Sequence, residues 1–188
     1  MALLKILTFP NPVLKQRAEP VTVFDAELEK LATDMRETMY DAPGVGLAAN
    51  QVGVLKRILV IDTDYSIEGE EEEIRKYIDQ NARTIINPEI LAKSGNILFK
   101  EGCLSVPGFT EEVKRYDKVK FKFQDVKGGF HEIEADGLLA VAIQHEIDHL
   151  DGKLFIDRLS MVKRNLIKGK LKKDRNSQFE RSRFHVEL

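Results

Sequence analysis

Asp136-Gly137-Leu138-Leu139-Ala140-Val141-Ala142-Ile143-Gln144-His145-Glu146-Ile147-Asp148-His149-Leu150-Asp151-Gly152 decides the architecture of this chain. Leu138 to Ile143 is apolar on nearly every side, and a helix apolar all round belongs in the centre of a domain. Asp136-Gly137 supplies its opening and Gly152 its stop. The same helix carries His145, Glu146 and His149. At 3.6 residues per turn, positions i and i+4 face the same way, so both imidazoles can reach one metal ion. Glu146, next to the first imidazole, can lean over an open metal position as general base. Ionisable groups on a buried helix are costly unless a metal or a partner satisfies them, so the placement itself argues for a metal centre.

The flanking sequence supplies what such a helix packs against. Asp25 to Met39 places Leu28, Leu31, Ala32, Met35 and Met39 at helical spacing behind Asp25 as N-cap, with Pro43 and Gly44 closing it. Arg57 to Asp62 holds the apolar run Ile58-Leu59-Val60-Ile61, a short buried strand. Thr84 to Ile90 and Ile97 to Lys100 are weaker strands. Val119, Phe121 and Phe123 alternate with lysines, a strand with one face on the core. Gly128-Gly129 turns it into a hairpin partner over Phe130 to Ala135. Ser160 caps a last helix with Met161, Val162, Leu166, Ile167 and Leu171 on one side and lysines on the other. Strands first, a central helix, then a tail helix predict an α+β fold of antiparallel strands around the buried helix. The domain reading is a catalytic unit over residues 1–159 and a basic helix and tail over residues 160–188.

Two histidines do not make a catalytic metal site; a third protein ligand is needed. Cys103, a carboxylate, His131 and His185 are the candidates. Cys103 sits in Glu101-Gly102-Cys103-Leu104-Ser105-Val106-Pro107-Gly108, where glycines and a proline mark a tight, shaped loop. A third segment, Gly44-Val45-Gly46-Leu47-Ala48-Ala49-Asn50-Gln51-Val52-Gly53, joins small residues to two side-chain amides. It offers the neutral donor that an acyl hydrolase aims at a developing oxyanion.

Composition narrows the class. At 188 residues, 43% hydrophobic and 32% charged, the chain has the make-up of a soluble globular domain large enough for a real core. No apolar run approaches the ~20 residues of a membrane span, and Met1 to Leu7 lacks the features of a secretion signal. A single cysteine excludes an internal disulfide and fits a reducing compartment, so the expected location is the cytosol. Net charge is −2 but unevenly spread. Asp62 to Gln80 holds eight acidic residues, Glu70 to Glu73 among them, and reads as a solvated loop. Lys163 to Leu188 holds nine Lys and Arg, an arrangement that serves a solvated helix or contact with RNA.

Taken together, Gly44 to Gly53, Glu101 to Pro107 and Gln144 to Gly152, with Pro10-Asn11-Pro12-Val13-Leu14 ahead of them, resemble the bacterial peptide deformylases in order and spacing. The resemblance covers about Leu4 to Leu159 and departs from the family's pattern only in the acidic insertion and the tail. It implies a hydrolase that removes the formyl group from the N-terminal formylmethionine of new polypeptides, releasing formate. It implies Cys103, His145 and His149 as metal ligands and Glu146 as proton carrier. Gln51 and the Leu104 backbone N–H would be oxyanion donors. Val45, Leu138, Val141 and Ala142 would line the methionine pocket, with Gly46 bonding the peptide backbone. It also implies Fe²⁺ as the native metal, with Zn²⁺, Ni²⁺ or Co²⁺ in purified samples; the ligand types alone would point to zinc. By the same resemblance the basic tail is a candidate contact with the ribosome. Two other readings use the same residues. One is a zinc metallopeptidase, which usually recruits Glu or a third His instead of cysteine. The other is a non-enzymatic, metal-stabilised module with four protein ligands, which would leave Glu146 and Gln51 without a role.

Overall fold

The structure, a computed structural model, describes residues 2–64, 66–68, 76–78 and 81–183. The acidic run Glu70 to Glu73 and the candidate ligand His185 lie outside the described residues. Chain order runs α1 (Ala26–Asp41), β1 (Gly46–Ala48), β2 (Ile58–Ile61), β3 (Ser66–Glu68), β4 (Lys76–Ile78), β5 (Arg83–Ser94), β6 (Ile97–Gly102), β7 (Thr110–Arg115), β8 (Lys118–Gln124), β9 (Phe130–Asp136), α2 (Gly137–Leu150) and α3 (Met161–Arg183). Five strands form one antiparallel sheet in the order β1-β2-β5-β8-β9, while β3-β4 and β6-β7 are separate hairpins. The α+β architecture expected from the sequence is the one observed.

The sheet lies between two helices, and strand periodicity says which residue goes to which. Successive side chains of a strand point to opposite faces. Leu59 and Ile61 of β2 pack with Ile85, Val119, Phe121 and Phe123 against Ala140, Ile143, Ile147 and Leu150 of α2. Ile58 and Val60 of the same strand pack with Leu28, Ala32, Met35 and Met39 of α1. That is why β2 is apolar without alternation: both of its faces are covered. In β8 only Val119, Phe121 and Phe123 are buried, and the alternating lysines are not. The Asp25 carboxylate caps α1 by accepting from Leu28 N–H at 3.0 Å, as its position suggested.

Three features are not legible from local pattern. Strand β5 runs farther than expected, with a register shift after Ile86 where Asn87 (φ 50°) precedes Pro88. Proline cannot donate to a ladder, and the Asn87 side chain replaces the missing bonds by pairing with Val21 and Gln124. Strand β7 has almost no sequence signature, because its burial rests on Val113 and Arg115 alone. The apolar side expected for α3 is split. Ile167 and Leu171 are buried against Leu14, Val106, Val113 and Phe155, whereas Met161, Val162 and Leu166 are each 60% exposed or more. One short row of the helix touches the body, so only residues four apart on that row find cover.

The segment ahead of α1 laces these layers together. Leu7 N–H donates to Gln51 O (2.7 Å), Phe9 N–H to Ser105 O (2.9 Å) and Ala18 N–H to Leu150 O (2.8 Å). At the last of these joints Gly152 (φ +72°) ends α2, and a Cβ there would lie 2.5 Å from the Lys15 carbonyl oxygen. Only glycine fits both the conformation and the space.

Candidate active site

Three segments far apart in sequence meet at the floor of one cleft. Helix α2 is buried from Ala140 to Leu150, and its last turns present His145, Glu146 and His149. Strand β6 delivers Glu101 and Gly102, after which the chain turns through Cys103 to Ser105, closed by Val106 N–H on the Cys103 carbonyl (2.9 Å). Strand β1 and the turn after it, Ala49–Val52, deliver Gly46 and Gln51. The cleft has a volume of about 560 Å³. Gln51, Cys103, Leu104, His145, Glu146, Val45, Gly46, Leu138, Val141 and Ala142 all line it. His149 lies beneath it, 1% exposed.

One donor atom each from Cys103, His145 and His149 falls within a sphere of mutual distances no larger than 4.8 Å. Cys103 Sγ and His149 Nε2 are 3.2 Å apart, as are the two Nε2 atoms. A soft sulfur and two imidazoles converging on one point form a donor set that suits a transition metal. His145 Nδ1 donates to Glu101 Oε2 at 2.8 Å, which leaves the lone pair on Nε2, the atom facing Cys103 and His149. Burial first, and the charge of His145 second, push His149 well below the ordinary imidazole range, into the neutral form that a metal binds. Burial alone would lower His145 too, yet contact with Cys103 and Glu101 reverses the direction: this position favours a positive charge. The residues present therefore fit a divalent cation. His131 does not contribute; it is exposed on the β8-β9 hairpin, 2.7 Å from Asp125.

Glu146 stands over this cluster. Its Oε2 is buried with no hydrogen-bond partner, and burial is the first cause of a carboxyl pushed up to about 7. A buried carboxyl of that kind can hold or release a proton near neutral pH. Room for it comes from Gly46, where a Cβ would lie 2.6 Å from Glu146 Oε1. Gln51 is oriented as an amide donor. Its Oε1 accepts from Ala48 N–H (2.9 Å), so Nε2 faces Ser105 Oγ (3.2 Å) and Cys103 Sγ (3.7 Å). Leu104 stands between Cys103 and Ser105 on the cleft wall. Leu138 and Val45 are 38% and 39% exposed because the cleft opens past them, so the first turn of α2 is not enclosed as its all-apolar pattern suggested.

Sequence reading gives no role to Glu101, Arg115, Asp148 or Ser105. Glu101 and Asp148 lie inside the quoted motifs, but nothing local shows what they pair with. Arg115 has one weak signal, its two-residue spacing from Val113, which puts a guanidinium on a buried strand face.

Comparison with known proteins gives the chain its family. Residues 3–165 match the polypeptide deformylase family. A peptide deformylase of Wolinella succinogenes is 52% identical over 171 residues, covering 91% of this chain and 96% of the relative. One from Alkalilimnicola ehrlichii is 50% identical over 173 residues, covering 92% and 91%. Among solved structures, a peptide deformylase from Legionella pneumophila superposes with a TM-score of 0.82 at 45% identity, covering 94% of this chain and 98% of that one. A peptide deformylase from Ehrlichia chaffeensis, in complex with actinonin, gives 0.80 at 39% identity, covering 93% and 98%.

Proposed function

The chain belongs to the polypeptide deformylase family, and from that premise we propose how the residues of its cleft divide the work. It is a metal-dependent hydrolase that removes the N-terminal formyl group from the formylmethionine of newly synthesised polypeptides and releases formate. Cys103, His145 and His149 are the residues that would hold the metal. When bound, the metal supplies Lewis acidity, polarising the formyl carbonyl and acidifying water. Glu146 takes the proton of the attacking water and returns one to the departing amine, a role supported by its unpartnered Oε2 and raised carboxyl. Gln51 Nε2 donates to the developing oxyanion, with the Leu104 backbone N–H as second donor. Val45, Leu138, Val141 and Ala142 take the methionine side chain, and Gly46 bonds the peptide backbone beside it. An unbranched thioether adapts well to such an apolar wall.

One observation carries the reading. A thiolate and two imidazoles converge at the floor of an apolar cleft, beside a buried carboxyl and a fixed amide donor. The test is incubation of the metal-loaded protein with formylmethionyl, formylalanyl and acetylmethionyl peptides, read out by formate or acetate. The first should be cleaved best, the second more slowly and the third negligibly; equal rates on formyl and acetyl substrates would refute the assignment. Fe²⁺ is the metal we assign in the cell, on the family resemblance, while the donor set also accepts Zn²⁺, Ni²⁺ or Co²⁺. Metal analysis after anaerobic purification tests that choice. An iron form that loses activity in air faster than a nickel form is the expected companion result, since an oxidised Cys103 no longer ligates.

We assign the enzyme to the cytosol, where formylmethionyl polypeptides are made. Residues 160–188 form, in our reading, a basic appendage to a catalytic unit of residues 1–159. The exposed Lys170, Lys172 and Lys173 of α3 are candidates to meet ribosomal RNA.

A further inference from the structure

Strand β7 alternates Val113 and Arg115 onto a buried face, and the Arg115 side chain is 0% exposed. Its fork spends three donors on two segments. Nε and Nη2 bond the two oxygens of Glu101 at 2.6 and 2.9 Å, a bidentate pair, while Nη1 bonds Asp148 Oδ2 at 2.5 Å. Asp148 is also held by Arg158, Nε to Oδ2 at 2.5 Å and Nη2 to Oδ1 at 2.6 Å. Two guanidinium groups, the buried Arg115 and the partly exposed Arg158, thus face two carboxylates, a pairing under which buried charges are tolerated.

The positions of the two carboxylates give the fork its meaning. Glu101 lies two residues before Cys103, and Asp148 adjoins His149. Glu101 Oε2 accepts from Arg115 and from His145 Nδ1, so the group that orients one imidazole is itself fixed by Arg115. His149 has no such support: its Nδ1 is buried without a hydrogen-bond partner. We propose that Arg115 is a positioning residue of the metal centre, clamping the cysteine loop and the histidine helix in register through Glu101 and Asp148. A lysine cannot do this, because one ammonium is a point charge without the planar fork. The inference rests on the ligand assignment given above.

The test compares R115K and E101Q with the unaltered zinc-loaded protein. The readouts are zinc release to a chelator, the visible spectrum of the cobalt-loaded form, KM and the thermal unfolding of the metal-free chain. Loss of an outer partner of a metal ligand typically weakens metal retention by about 10–100-fold, and that is the expected result for both variants, with an altered cobalt spectrum and unchanged KM. The double variant should lose less than the two singles added together, since both changes break the shared Glu101–Arg115 linkage. A wild-type release rate in R115K, or losses that follow the stability of the metal-free chain with the cobalt spectrum unchanged, would overturn the proposal. C103A and H149A separate the two levels: if they retain zinc the ligand assignment itself fails, whereas if they lose it and R115K does not, only the role of Arg115 falls.

Discussion

Helix α2, apolar on nearly every side over Leu138 to Ile143, and helix α3, amphipathic by sequence pattern, live under opposite rules. In α2 every residue from Ala140 to Leu150 is enclosed, so each polar group there must find a partner or a function. Among the described side chains of α3 two apolar residues are covered and three stand in solvent, with lysines that bond to the body only at Lys163–Glu111 and Lys168–Asp157 among the described pairs. The difference teaches where side-chain identity is demanding. Enclosure turns a single carboxylate into chemistry, while exposure makes most single changes cheap.

The contrast breaks first at Glu146. Glu146→Ala should lower kcat by roughly 10²–10⁴ while metal content stays at one ion per chain, because its role is proton transfer. Full activity would remove the mechanism, and metal loss would make the carboxylate a support of the site. Next come the apolar partners. Ile143→Ala in α2 should cost about 2–5 kcal/mol of unfolding free energy, the range for emptying a fully packed site. Ile167→Ala in α3 should cost about 2 kcal/mol and Leu166→Ala less than about 0.5 kcal/mol, both read from denaturant titration. Equal costs at Ile167 and Leu166 would mean that α3 does not dock through the row described.

A smaller effect concerns Asp157, which ties α3 to the chain near Lys15. Burial would raise its carboxyl, but hydrogen bonds from Lys15, Leu154 N–H and Lys168 outweigh that and hold it below the ordinary value of 3.8. A carboxyl depressed by folding contributes stability that is fully present above the unfolded value and is lost as pH falls through the folded one. Unfolding stability of the native chain should therefore drop more steeply below about pH 4 than that of Asp157→Asn. Parallel acid profiles would show that the pair is only a surface ornament. The smallest expectation concerns the free lysines of α3. Neutralising Lys170, Lys172 and Lys173 should flatten the salt dependence of ribosome binding, by roughly 0.7–0.9 in logarithmic slope for each phosphate no longer neutralised, and leave peptide turnover unchanged. An unaltered slope would make the helix a solvated face.

How much of this was legible follows from the same contrast. The buried helix, its two imidazoles and the half-buried β8 could be read because period and chemistry agree locally. The cysteine and glutamine motifs became informative once set beside that helix. The Arg115 linkage was hidden because its partners lie 14 and 33 residues away in sequence. The split face of α3 was hidden for a related reason: the pattern marks which side is apolar, not how much of that side the body is wide enough to cover.

The lacing of the segment before α1 carries a consequence for synthesis. Ala18 is made early, but its backbone partner is the carbonyl of Leu150. At translation rates of roughly 5–20 residues per second, the two are separated by on the order of ten seconds. Through that interval the bonds to Gln51 and Ser105 have no third anchor, and loop closure over so long a stretch comes late. The thiol of Cys103 thus emerges well before the helix that would share a metal with it. Assembly of the centre waits for α2, whose second imidazole follows Cys103 by 46 residues.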